Sequence, residues 1–275
     1  MSVATASPPA VGATPRPSKP RRILPKLVAL VITVIVISAF WSVEIDWSQL
    51  AGFPSNLVRY LGLMFLPPDL SAVPEAFAAT VLSVQMAWFG TVIGIVISLP
   101  LSFLATNGIG PAWLRIPLRG LFALIRAVPE VVIAVLILSV TGLTAFTGAL
   151  AIGIGSIGTL GKWGYEAMEG AEAGPIEAAR AAGGSTAQVL RWGLWPTVTP
   201  EVLAFWLYRF EINVRASAIL GLIGAGGIGK MLADNVQFRV WDSVGTLLLV
   251  VIVVTVLIDL ASGALRRRIV HGPRR

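Results

Sequence analysis

Cysteine is absent from this chain of 275 residues, and histidine occurs once, at His271 in the basic C-terminal tail. Disulfides, thiolate chemistry, cysteine-ligated metals and multi-histidine sites are thereby excluded. Charge is scarce as well, at 13% of residues against 56% hydrophobic; a soluble domain carries about 25%. The carboxylates are scattered and never take a metal-binding spacing. A membrane enzyme acting on lipid therefore lacks its catalytic set, and neither catalysis nor a cofactor held by this chain is expected. The net charge of +7 raises nucleic acid as a partner, but its placement argues against one. Arg16, Lys19, Arg21, Arg22 and Lys26 precede the first apolar run, and Arg266, Arg267, Arg268, Arg274 and Arg275 follow the last. Basic residues beside apolar runs mark the cytoplasmic flanks of membrane spans.

Long apolar runs are what the chain has in abundance. Measured against the roughly 20 residues a helix needs to cross the hydrocarbon core, six qualify: Leu27–Val43, Thr80–Leu104, Leu121–Val140, Leu143–Trp163, Pro196–Leu220 and Val244–Gly263. The fold class expected is all-α, a polytopic membrane bundle of about six spans in contact with lipid. The first run competes with a cleaved signal peptide; no A-x-A site follows it, and Phe40-Trp41 suits an interfacial anchor, so a retained span is preferred. Residues 1–26 read as a disordered basic arm, 27–265 as the membrane domain and 266–275 as a basic tail. The basic residues put both termini in the cytoplasm and Glu44–Ala79 outside, with Arg115, Arg119 and the interval Lys162–Trp195 inside. Gln49–Leu66 is either a helix on the membrane surface or a packed loop. The small residues of the fourth run, Gly148, Gly153, Gly155, Gly158 and Gly161 among them, suit an interior helix.

The interval between the fourth and fifth runs carries Glu177-Ala178-Ala179, then Gly183, then Pro196. Pro175 can open a helix there, putting Glu177 in its first turn, where a carboxylate complements the helix dipole. Gly183-Gly184 permits a left-handed turn, and Ser185 or Thr186 can cap the next helix. An ordinary cytoplasmic loop of good helix formers is the plainer alternative. The spacing resembles the EAA loop of ABC-importer permeases, E-A-A-x3-G-x9-I-x-L-P, with Gly193 and Trp195 replacing its isoleucine and leucine. The resemblance implies that residues 164–195 form a coupling loop, and that Glu177, Ala178, Ala179 and Gly183 seat against a cytoplasmic ATPase.

Gly224, Gly226 and Gly229 satisfy G-x-G-x-x-G, and Gly224 to Gly229-Lys230 most of a P-loop. Both patterns need a preceding strand, whereas an apolar helix precedes here. Met231 also stands where the P-loop hydroxyl belongs. ATP and NAD are not expected in this chain. Gly224, Gly226, Gly227 and Gly229 instead suit a break between the fifth and sixth spans, as a hinge or gate.

Charges interrupt the fifth run at Arg209, Glu211 and Arg215, with Asn213 between. Each central charge costs about 2.5–3.5 kcal/mol. Glu211 and Arg215 are spaced for pairing on one helix face. Arg209 points elsewhere, toward Glu130, Glu201, a cavity or an anion. Arg126 and Glu130 flank Pro129, and Asp259 stands alone in the last run. Structural ion pairs and a polar translocation pathway, with Arg209, Glu211, Asn213, Arg215 and Glu130 as candidates, are equal readings.

The block Tyr208–Ala216, followed by Ile219–Gly229, resembles the phosphonate permease branch of the ABC importers. Arg126-Ala-Val-Pro-Glu130, Gly174–Ala179 and Phe65-Leu-Pro-Pro-Asp69 add to the likeness. It implies a type I ABC-importer permease bundle in a prokaryotic plasma membrane. It also implies two permease copies, expected here as a homodimer, two ATPases that bind ATP and Mg, and an extracytoplasmic solute-binding protein. The solute implied is a phosphonate or a related oxyanion such as a phosphate ester or phosphite. A methionine-type or other small-solute permease is the alternative within transport. A proton- or sodium-coupled carrier is the rival outside it.

Overall fold

The structure, a computed structural model, describes residues 23–42 and 47–271. Residues 1–22 of the arm, Glu44 and Asp46, and Arg274 and Arg275 of the tail lie outside the described residues. The regular elements described are all helical. They are α1 (Ile23–Ser42), α2 (Trp47–Phe65), a 3-10 turn (Leu70–Ala72), α3 (Val73–Ala105), α4 (Ala112–Ala127), α5 (Glu130–Thr141), α6 (Ala145–Glu169), α7 (Ala173–Ala181) and α8 (Thr186–Gln188). A π turn (Val189–Leu194), α9 (Trp195–Leu220), a second π turn (Gly221–Ala225), α10 (Gly227–Gln237) and α11 (Trp241–His271) complete them. Two compact units result, one ending at Ser55 and one starting at Asn56.

In the first unit, α1 is apolar and exposed on every side, as suits a helix whose solvent is lipid. It begins at Ile23, so the last residues of the expected arm are its first turn. In the second unit α3 and α11 are long and apolar enough to cross a membrane; two bent pairs also qualify, α4 with α5 and the helix Thr186–Ala225 with α10. α6 has the length at 25 residues, but its glycines and Lys162 dilute its hydropathy. It is covered by protein instead of lipid. Fourteen of its residues are buried, and Gly90 and Gly94 of α3 lie against Ala149, Ile152 and Ser156 so closely that a Cβ at either position would collide. That is the close approach small residues allow between membrane helices.

Several expectations are corrected. The third apolar run is not one straight span: α4 and α5 meet at 88°. Pro129 holds Val128 extended, at ψ 122°, because a residue before proline is driven out of the helical region. The fourth helix runs on to Glu169, past the expected end at Trp163. Pro196 falls in the first turn of α9, as expected, where its missing donor is no loss, but helix also precedes it, running back without a break through the π turn to Thr186. Between the fifth and sixth spans lies a whole helix, α10, beyond a mere turn. Arg266–Arg268 extend α11 as helix. Gln49–Leu66, left open between surface helix and loop, is helical as far as Phe65, where α2 ends.

At the end of α3 that begins with Val73, the Asp69 carboxylate accepts hydrogen bonds from Ser71 and, at 2.8 Å, from Ser243 in the first turn of α11. These bonds hold its pKa below the ordinary value. Tyr60 meets Trp241 edge-on there, with ring centroids 5.0 Å apart. α10 ends nearby in a left-handed turn, with Arg239 at φ 58°. The other end of α3, at Ala105, faces α7.

Candidate functional site

α7 is a nine-residue helix with Glu172 as its N-cap. Pro175 therefore falls in the first turn, but Glu177 stands one turn further in than expected and does not meet the dipole's positive end. Glu177 and Ala178 are exposed; Ile176 turns inward to the cluster of Met168, Leu194 and Val198. Gly183, at φ +77°, closes the helix. Its N–H donates to the Arg180 carbonyl at 2.9 Å, and the Gly184 N–H to that of Ala179 at 3.1 Å. This is a Schellman stop, in which the left-handed position favours glycine. Ser185 caps the next helix: its N–H donates to the Gln188 side chain at 2.8 Å, one half of a capping box.

Gly193 accounts for one departure from the EAA pattern. A Cβ there would lie 3.0 Å from the Pro175 carbonyl and 3.1 Å from the Ile176 Cα. The missing side chain lets α7 lie directly on the π turn that leads into α9. On its other side α7 faces the α3–α4 turn across two adjoining cavities of about 240 and 370 Å³, which share Asn107, Met168, Ile176 and Arg180. Of the coupling candidates, Glu177, Ala178 and Gly183 are exposed, while Ala179 is half-buried and turns toward Gly193 of the π turn.

The charges at membrane depth separate into two groups. Arg209, 5% exposed, pairs with Glu130 at the first turn of α5 and donates to Ser156 Oγ at 3.0 Å. Asn213, one turn on, donates to Ser156 at 3.0 Å and to Thr91 at 2.8 Å. α3, α5, α6 and α9 are joined at this point. The bend at Pro129 presents Glu130, and Gly155 makes room for it: a Cβ there would lie 2.7 Å from Glu130 Cγ. The second group faces α11. Arg215 reaches Asp259 at 3.3 Å and Arg266 lies 4.0 Å from Glu211. The expected Glu211–Arg215 pair is not formed, because α11 offers each residue a partner of opposite charge. Arg126 is exposed and pairs with no carboxylate among the described residues.

The glycine run folds back on itself. Gly224, Gly226 and Gly227 all take positive φ, at 100°, 93° and 67°, and Gly221 and Gly229 approach within Cβ-excluding distance. Ile228 N–H donates to Ser83 Oγ at 3.0 Å, docking the run on α3. The bend between α9 and α10 is 54°.

Sequence reasoning passed over Ser156 and Thr91, though a serine inside a glycine stripe was a visible polar signal. It also took Arg119 only as a marker of the inner side. In the structure Arg119 pairs with Glu169.

A family model described as "Binding-protein-dependent transport system inner membrane component" matches residues 98–271. The phosphite transport system permease PtxC of Stutzerimonas stutzeri is 35% identical over 242 residues, 87% of either chain. The phosphate-import permease PhnE of Mycolicibacterium smegmatis is 36% identical over 207 residues, 74% of this chain and 39% of that protein. Among solved structures, the inward-facing MetNI methionine ABC transporter superposes with a TM-score of 0.65 at 20% identity, over 73% of this chain and 99% of the matched one. At that identity the likeness speaks for the fold alone.

Proposed function

This chain belongs to the family of binding-protein-dependent transport system inner membrane components, and on that premise we propose that it is the permease of an ABC importer for a phosphorus oxyanion. It is a transport subunit and not an enzyme, and its family implies ATPase and solute-binding partners. A phosphonate, a phosphate ester or phosphite is the solute class. The relative named for phosphite, at 35% identity, supports it over a methionine-type solute.

The observation that carries the coupling reading is α7 itself: an exposed Glu177 on a short helix stopped at Gly183 and seated on the π turn through Gly193. A partner pressing there presses on the root of α9. The end of the bundle bearing α7, Arg115, Arg119, Arg180 and Arg191 is the cytoplasmic one, and two copies of the chain form the transporter. Of the pathway candidates, the solute's route runs on the Glu130 side of the Glu130–Arg209 pair, since that carboxylate's side chain keeps 24% exposure. Asn213 braces the pair, while Glu211 and Arg215 border the α11 side. Gly224, Gly226, Gly227 and Gly229 hinge the opposite end.

The test is uptake into proteoliposomes holding this chain with its ATPase and binding protein, using phosphite, a phosphonate and methionine in parallel. ATP-dependent uptake of a phosphorus oxyanion is expected. Uptake of methionine in its place would move the chain to the other solute class.

A further inference from the structure

Arg119 joins three helices at the α7 end of the bundle. It stands on α4 and pairs with Glu169, the last residue of α6. Its Nε and Nη2 also donate to the Ala105 carbonyl, at 2.9 and 2.8 Å, satisfying an orphan acceptor at the end of α3. Its guanidinium lies 4.3 Å from the ring centre of Tyr165 on α6. Glu169 in turn accepts the Asn107 N–H at 2.6 Å. Only residues 170–172 separate Glu169 from α7, so α7 cannot shift far without carrying that carboxylate along. The same α4 runs to the bend at Pro129, beyond which Glu130 holds Arg209. From Arg119 to Ala127, where α4 ends, is 8 residues, about 12 Å of helix rise, and Val128 and Pro129 then turn the chain into α5. Along that length α4 rests Phe122 and Ile125 on Gly158 and Gly161 of α6, and Phe122 stacks on Tyr165 of the same helix.

We infer that Arg119 is a positioning residue for transport: with Glu169 it forms a latch through which displacement of α7 reaches α4, and through α4 the Glu130–Arg209 pair. α7 then acts by two routes, directly on α9 and through the latch on α4 and α5. The inference rests on the proposed docking of an ATPase at Glu177.

The experiment measures solute moved per ATP hydrolysed by the full complex in proteoliposomes. The variants are Arg119→Gln, Glu169→Gln, their combination and Arg119→Lys, with Glu177→Arg as control. Each single neutral variant should lower the ratio about tenfold, within the usual range of coupling between sites. The combination should be no worse than either alone, and Arg119→Lys should retain most of the ratio. An unchanged ratio in the neutral variants overturns the latch, as does loss that appears only where the complex fails to assemble, which would mark a fold staple. If Glu177→Arg lowers the ratio and the others do not, the latch alone fails; if Glu177→Arg leaves it unchanged too, the docking reading fails with it.

Discussion

At Arg209 the cost of a charge at membrane depth is met within the chain, by one carboxylate and one hydroxyl. Removing one member of a buried pair strands the other, at about 3–5 kcal/mol. Arg209→Ala should therefore lower the melting temperature of the purified protein sharply, and Arg209→Ala with Glu130→Ala should recover part of the loss. A double variant as unstable as the single would remove the pair from the account. Arg239 is the opposite case. It occupies a left-handed position whose Cβ strain costs about 1 kcal/mol, so Arg239→Gly should raise the melting temperature; no change would mean the strain is relieved elsewhere. Residue identities made Arg209 and Glu130 candidates, since charge in an apolar run demands a partner. Their pairing was legible only as one option among several, because 79 positions separate them and no local period links them. Glu211 and Arg215 were misread for the same reason: a four-residue spacing permits a pair, but α11 decides it.

Among the elements, α7 with its glycine stop was the most legible, since Gly183, Gly184 and Ser185 are local signals with local consequences. Gly183→Pro forces φ near −65° where the chain needs +77°, and deletes the N–H that binds Arg180. Glu177→Arg reverses the charge of the exposed face. Either should abolish coupled uptake while leaving membrane insertion intact, as read by transport alongside membrane fractionation; normal transport in both would remove α7 from the mechanism. The bend at Pro129 was less legible. Apolar content carried across Val128-Pro129 and suggested one span, although proline's hold on the preceding residue was the stronger fact. α10 was hidden by glycines that read only as a break, whereas they turn the chain by 54° into another helix.

For the whole molecule, apolar run length conveyed an all-α membrane protein, and the EAA spacing conveyed its class. The interior position of α6 followed from its glycines. What packs against them, Met86 and Ile93 of α3, Phe122 and Ile125 of α4 and Glu130 of α5, belongs to tertiary packing and left no trace in run length. On the proposed coupling, this bundle moves solute only when a separate ATPase acts on its α7 face. Solute accumulation against a gradient, compared in vesicles holding the chain alone and in vesicles holding the chain with its ATPase and binding protein, tests it most directly. Accumulation should require the full assembly and ATP, and vanish in Glu177→Arg. Accumulation by the chain alone under a proton or sodium gradient would contradict it.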